Sequence, residues 1–388
     1  MRFKKITLLI GFFAVLLTSL FPQNTYLLVL FSGLAWILLP YRKWWDGVCM
    51  GLLLFSIFYA VMVVLSGQMR SGFLTISYLI SPVAFYRFGQ YLLTEYRTDN
   101  ERFMLLLSIL FGYLLNVFIL TFVDIAVVGI VNEDRTLLGA STGDDALAAT
   151  LYGLMASVGI GYIGACFAKE HKLVVRIFFC ILVVLSLLIV IHLVNRGGLV
   201  VFIISLICSI FINYRKSVGK LLFAIIILTI GVLMLLNLEV LSEDILEAYE
   251  RRNEFKGYGV ESVGGRTDLW MMSIENMFRN PMGWKQDAYA HNMWLDISRI
   301  GGWISLLPFL SATVMILRKM LSLYKNKISN FTSTLVVLNL ALIIAASIEP
   351  VIEGSMLFFS LMMMFWGMIS HMIIETKWSK NGEDYNIK

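Results

Sequence analysis

Residues 173–216 read LVVRIFFCILVVLSLLIVIHLVNRGGLVVFIISLICSIFINYRK, two apolar runs (173–194 and 197–213) split only by Asn195-Arg196-Gly197-Gly198. Each run comes close to the about 20 apolar residues that a helix needs to span a bilayer. The same pattern recurs on both sides, at 6–21, 26–39, 47–66, 72–93, 103–123 and 146–168 before it and at 219–239, 292–317, 331–348 and 354–374 after it. Twelve spans are therefore expected, the second short enough to be re-entrant, in an all-α polytopic membrane protein forming one domain over 1–388.

Composition agrees. The 388 residues are 59% hydrophobic and 15% charged, with a mean hydropathy of +0.81, against roughly 45–50% and 25% for soluble chains. An ordinary cytosolic enzyme, a disordered chain and a nucleic-acid binder with a water-facing basic domain are excluded. The net charge of +5 is a topology signal, because the basic residues sit in short loops between spans. With the N-terminus inside, nineteen Lys and Arg fall on the inner side and only Arg70, Arg135 and Arg196 in the short outer loops. Both termini are expected to be cytoplasmic.

The N-terminal Met1-Arg2-Phe3-Lys4-Lys5 resembles the start of a signal peptide, but Phe21-Pro22-Gln23 offers no small-residue cleavage site, so a retained first helix is expected. Cys49, Cys166, Cys180 and Cys208 all lie in apolar runs and form no CxxC; they read as small buried hydrophobes rather than a disulfide framework or metal site.

The outer face carries the long polar insertions, 124–145 and 242–291. A loop as long as the second is usually functional. Ser242-Glu243-Asp244 starts one helix, with Arg251, Arg252 and Lys256 in its last turn and Gly257 ending it. A second is expected from Thr267-Asp268 to Asn280-Pro281. Its Trp270, Met271, Ile274, Met277 and Phe278 make an apolar stripe that packs on the bundle or lies in the interface. Gly257 to Gly265, between the two, suits a lid.

Ionisable groups at membrane spans are costly and default to function. Arg196, ending the seventh span beside two glycines, suits a phosphate oxygen, but a snorkelling anchor fits as well. His192, one turn earlier, fits a satisfied buried histidine better than a ligand. Arg266 precedes a helix N-terminus, whose free amides favour an anion; pairing with Asp268 is the alternative. His291-Asn292 stands where the loop re-enters the membrane, and a histidine is the natural general base near neutral pH, although a lone interfacial histidine is more often structural. Glu349, after the eleventh span, could orient His291, hold an arginine or face water. No HExxH, P-loop, GxSxG or His/Cys metal cluster occurs, so neither metal nor cofactor is expected.

Taken in order, Arg196-Gly197, Gly265-Arg266-Thr267-Asp268-Leu269-Trp270, Asn280-Pro281-Met282-Gly283, His291-Asn292-Met293-Trp294-Leu295 and Gly301-Gly302-Trp303-Ile304 resemble the O-antigen ligase and Wzy-type polymerase superfamily. That resemblance implies a GT-C-like fold with a long helical extracytoplasmic loop between helices 9 and 10. It implies an inverting, metal-independent glycosyltransferase at the outer face of the bacterial cytoplasmic membrane, using an undecaprenyl-diphosphate-linked oligosaccharide donor and a glycan acceptor. Arg196 and Arg266 would bind the diphosphate and His291 would activate the acceptor hydroxyl, with His192, Asn292, Asp268 and Glu349 in support. A flippase and a chain-length regulator are further candidate partners. A polymerase of capsular or O-antigen repeats is the leading expectation, and a ligase acting on lipid A-core or a protein its rival. A secondary transporter is disfavoured, because transporters carry internal repeats and midplane charges whereas these polar groups cluster at one surface.

Overall fold

The computed structural model describes residues 25–38, 45–69, 71–96, 98–132, 135, 137, 145–167, 173–214, 247, 266–285, 289–325 and 329–381. Among the described residues the regular structure is entirely helical, one of the two ways, with the closed barrel, in which a chain in lipid satisfies its backbone amides. In chain order the helices are α1 (Thr25–Leu38), α2 (Gly47–Leu65), α3 (Gly72–Glu95), α4 (Asp99–Val128), α5 (Asp145–Gly161), α6 (Ile163–Cys166), α7 (Leu173–His192), α8 (Arg196–Tyr214), α9 (Arg266–Arg279), α10 (Met293–Lys325), α11 (Asn330–Ile348), α12 (Val351–Gly354) and α13 (Met356–Asn381).

Ten of the twelve expected spans coincide with described helices; the first and ninth, 6–21 and 219–239, lie outside the described residues, as do Gly257 to Gly265 and, apart from Glu247, the first loop helix. By length and apolarity alone, six described helices suffice to cross a membrane, or seven if α4, bent by 42° between Leu110 and Gly112, is one span. The apolar stretches Tyr26–Ile37 and Arg176–His192 are shorter, and α3 is more polar, carrying buried Arg87 and Gln90.

The core is centred on α13, whose Phe358, Phe359, Met362 and Trp366 are fully enclosed. Helices α3 and α13 approach closely enough that a β-carbon on Gly89 or Gly367 would lie 1.9 Å from the facing backbone oxygen. Small residues permit such backbone contact between membrane helices. At one end of the bundle Asp46 caps α2, accepting from the Cys49 amide at 2.9 Å. It also receives Lys319 of α10 and the Tyr86 hydroxyl of α3, which ties three helices together.

At the opposite end α10 is broken at Gly302, with φ 58 and ψ −167, a backbone conformation essentially restricted to glycine. The turn Asn280-Pro281-Met282-Gly283 seats on this break. The Trp303 amide donates to Pro281 O at 2.9 Å, and the Trp284 amide donates to Arg299 O at 2.8 Å. The Trp303 indole donates to Met277 O at 2.9 Å. Two of the sequence motifs are thus the halves of one clasp joining α9 to α10. A β-carbon on Gly302 would stand 2.4 Å from Pro281 O. Gly302→Ala should therefore cost at least the about 1–2 kcal/mol of a left-handed L-residue, lowering the Tm in detergent; an unchanged Tm would mean the clasp is loose.

Candidate functional site

Three chain segments reach one carboxylate. The first begins with the link between α7 and α8. Val194 takes a positive φ of 48, unusual for a β-branched residue, and the Asn195 amide closes back on Val190 O at 2.9 Å. Asn195 then caps α8, its Oδ1 accepting from the Gly198 amide at 3.0 Å. Arg196 is the first residue of α8, half-buried, beside the positive end of the helix dipole.

The second segment is α9, with Arg266 as its first residue. The α9 indole of Trp270 donates to Ala290 O at 2.7 Å, which fastens the helix to the strand of chain carrying His291. The expected bounds of this helix, Thr267 to Asn280-Pro281, agree with those observed to within a residue.

The third segment is 289–296. His291 has a φ of 51, a left-handed conformation uncommon outside glycine. Asn292 caps α10, its Oδ1 accepting from the Trp294 amide at 3.1 Å and the Leu295 amide at 3.3 Å. Asp296 reaches back to accept from the Ala290 amide at 2.8 Å. The His-Asn pair is therefore a left-handed residue followed by a helix cap.

What these segments meet is the end of α11. Pro350 forces Glu349 into an extended conformation, φ −135 and ψ 151, which leaves the last carbonyls of α11 without helical partners. Side chains take them up: Asn292 Nδ2 donates to Ser347 O at 3.0 Å, and Arg266 Nη1 donates to Ile348 O. Glu349, 5% exposed, faces Arg266 Nη2 at 3.2 Å and His291 Nδ1 at 3.8 Å. Thr150 Oγ1 donates to it at 3.4 Å, and a β-carbon on Gly197 would lie 2.9 Å from its Oε1. Burial pushes this carboxyl up, but Arg266 and then His291 outweigh burial and hold it below its ordinary value. Glu349 is thus ionised at neutral pH. Its contribution to stability is present above the ordinary carboxylate range and is lost as pH falls through the lowered value.

Arg266, His291, Asn292 and Glu349 are therefore in contact or nearly so, and the backbone next to Arg196 adjoins them. Two other candidates stand apart. Both ring nitrogens of buried His192 are engaged, Nε2 with Asp124 Oδ2 at 2.7 Å and Nδ1 with Ile130 O at 2.9 Å. Asp268 is exposed on the first turn of α9, and Arg266 pairs with Glu349.

Sequence reasoning passed over a second buried group. Arg299, with its side chain 5% exposed, pairs with Glu353, equally buried, and lies 3.8 Å from Asp296 Oδ1. Its guanidinium carbon is 5.7 Å from the Tyr289 ring, and that ring stands edge-on to the His291 imidazole, centroids 6.5 Å apart. The available signal was an arginine inside an apolar run, 292–317, at helical spacing from Asp296.

Residues 180–290 match the family model described as Wzy_C, O-antigen ligase. The matched stretch contains Arg196 and Arg266 and ends one residue before His291; it bears out the superfamily resemblance carried by the motifs. No curated protein matches the chain.

Proposed function

We propose that this chain, whose residues 180–290 carry the O-antigen ligase region, is a polysaccharide polymerase. It would transfer an undecaprenyl-diphosphate-linked glycan onto another lipid-linked repeat at the outer face of the cytoplasmic membrane. The observation that carries the reading is the single Glu349 carboxylate shared by Arg266 and His291 beside the α8 N-terminus.

With Nδ1 of His291 turned to Glu349, Nε2 is the nitrogen left to receive a proton. As the acceptor hydroxyl oxygen attacks the anomeric carbon from the face opposite the leaving group, its proton passes to Nε2 and the configuration inverts. The bond between the anomeric carbon and the phosphate oxygen breaks, and the electron pair leaves with the lipid diphosphate. Two guanidiniums, Arg196 and Arg266, stabilise that departing charge without a metal. Glu349 orients the imidazole and favours the imidazolium that forms.

The test is turnover of purified protein on undecaprenyl-diphosphate oligosaccharide, with and without a chelator. Turnover should survive the chelator and fall about 10²–10³-fold in Arg196→Ala and in Arg266→Ala. Loss on chelation, or full activity in both variants, would overturn the mechanism. The family description favours the ligase as second reading, and a gene deletion separates the two. Single-repeat products on a gel mark a lost polymerase, and unattached long chains a lost ligase.

A further inference from the structure

Helix α9 has three faces. At about 100° per residue, Arg266, Trp270, Ser273 and Met277 fall on one side, and this side meets the bundle: Ser273 is buried, and Trp270 and Met277 are part-buried against α10 and the segment that precedes it. Asp268, Glu275 and Arg279 fall on another side, exposed, with Glu275 and Arg279 paired at helical spacing. Between these two lie Met271, Ile274 and Phe278, respectively 65%, 40% and 68% exposed.

An apolar stripe flanked on one side by protein and on the other by charges is what a helix half-sunk in an interface presents. The stripe is also continuous with a surface that faces lipid in any membrane-spanning reading of α10. Phe278 lies 5.6 Å from the Trp303 ring, and Ile304, Leu307 and Leu310 follow along α10 as exposed apolar residues. The clasp at Gly302 fixes α9 at the end of the span, where hydrocarbon gives way to headgroups. Met272, exposed beside the charged face, is outside the stripe.

We propose that α9 lies in the membrane interface, with Met271, Ile274 and Phe278 among the acyl chains and Asp268, Glu275 and Arg279 in the water above. Arg266, at the start of this helix, is then held at headgroup depth. The inference rests on the chain spanning a membrane and stands apart from the proposed chemistry.

The experiment uses the full chain, with Cys49, Cys166, Cys180 and Cys208 replaced by serine, in nanodiscs of phosphatidylethanolamine and phosphatidylglycerol. Single cysteines at 271, 274 and 278, and at 268, 275 and 279, each carry a nitroxide. Relaxation by oxygen, which partitions into hydrocarbon, is compared with relaxation by a water-soluble nickel chelate. The first three positions should favour oxygen and the second three nickel. Nickel access at 271 and 278 would put the stripe in water and overturn the proposal. Closure of both positions to both agents would overturn it too, by showing a protein cover such as a second copy. Every position is partly or largely exposed, so labelling disturbs no core contact, and wild-type thermal melting of each labelled protein checks this.

Discussion

His291→Ala should lower turnover by about 10²–10⁴-fold, the usual contribution of a positioned general base, with the loss in kcat rather than KM. The positive φ of residue 291 makes alanine an imperfect control, since removing the side chain leaves a left-handed backbone with nothing to favour it. Asparagine tolerates that conformation better, so His291→Asn separates the imidazole from the turn. Both variants should be equally inactive in a single-turnover assay with purified protein and lipid-linked donor. An active asparagine variant would mean that the turn matters and the imidazole does not. Glu349→Gln should keep the fold but reduce kcat, because an amide orients the ring without stabilising its protonated form.

The second large effect concerns stability. Arg299→Ala would strand the Glu353 and Asp296 carboxylates in a buried setting, and breaking such a pair typically costs about 3–5 kcal/mol. The Tm in detergent should drop steeply. Replacing the Arg299 and Glu353 pair together by Met and Leu should cost less, because Glu353 is no longer stranded and the remaining Asp296 carboxylate keeps the Ala290 amide. Equal damage from the single and the double change would show that packing, not charge pairing, holds this region.

The apolar helices were legible because length and apolarity are local properties: α7, α8 and α11 fall within a few residues of the runs that announced them, and α10 and α13 start with their runs and continue beyond them. The loop helix α9 was legible for the same kind of reason, its stop set by Asn280-Pro281 and its apolar spacing by helical period. Site geometry was legible only as a set of residue types. Glu349 had three open roles; it is buried rather than facing water, pairs with Arg266 and lies 3.8 Å from His291 Nδ1. Nothing local to Ser347-Ile348-Glu349-Pro350 announces that distant side chains will cap its bare carbonyls. Arg299 escaped notice because two of its partners, Glu353 and Gln68, are remote in sequence, and only Asp296, three residues before it, leaves a local signal.

The elbow in α10 carries a consequence for engineering. Because Pro281 and Met282 lie against Gly302 with no room for a β-carbon, and because the Trp303 amide is satisfied from outside its own helix, the segment ahead of α10 is no interchangeable appendage. A chimera that exchanges this segment has to move the proline turn and the glycine step as one cassette, or the clasp between α9 and α10 is lost.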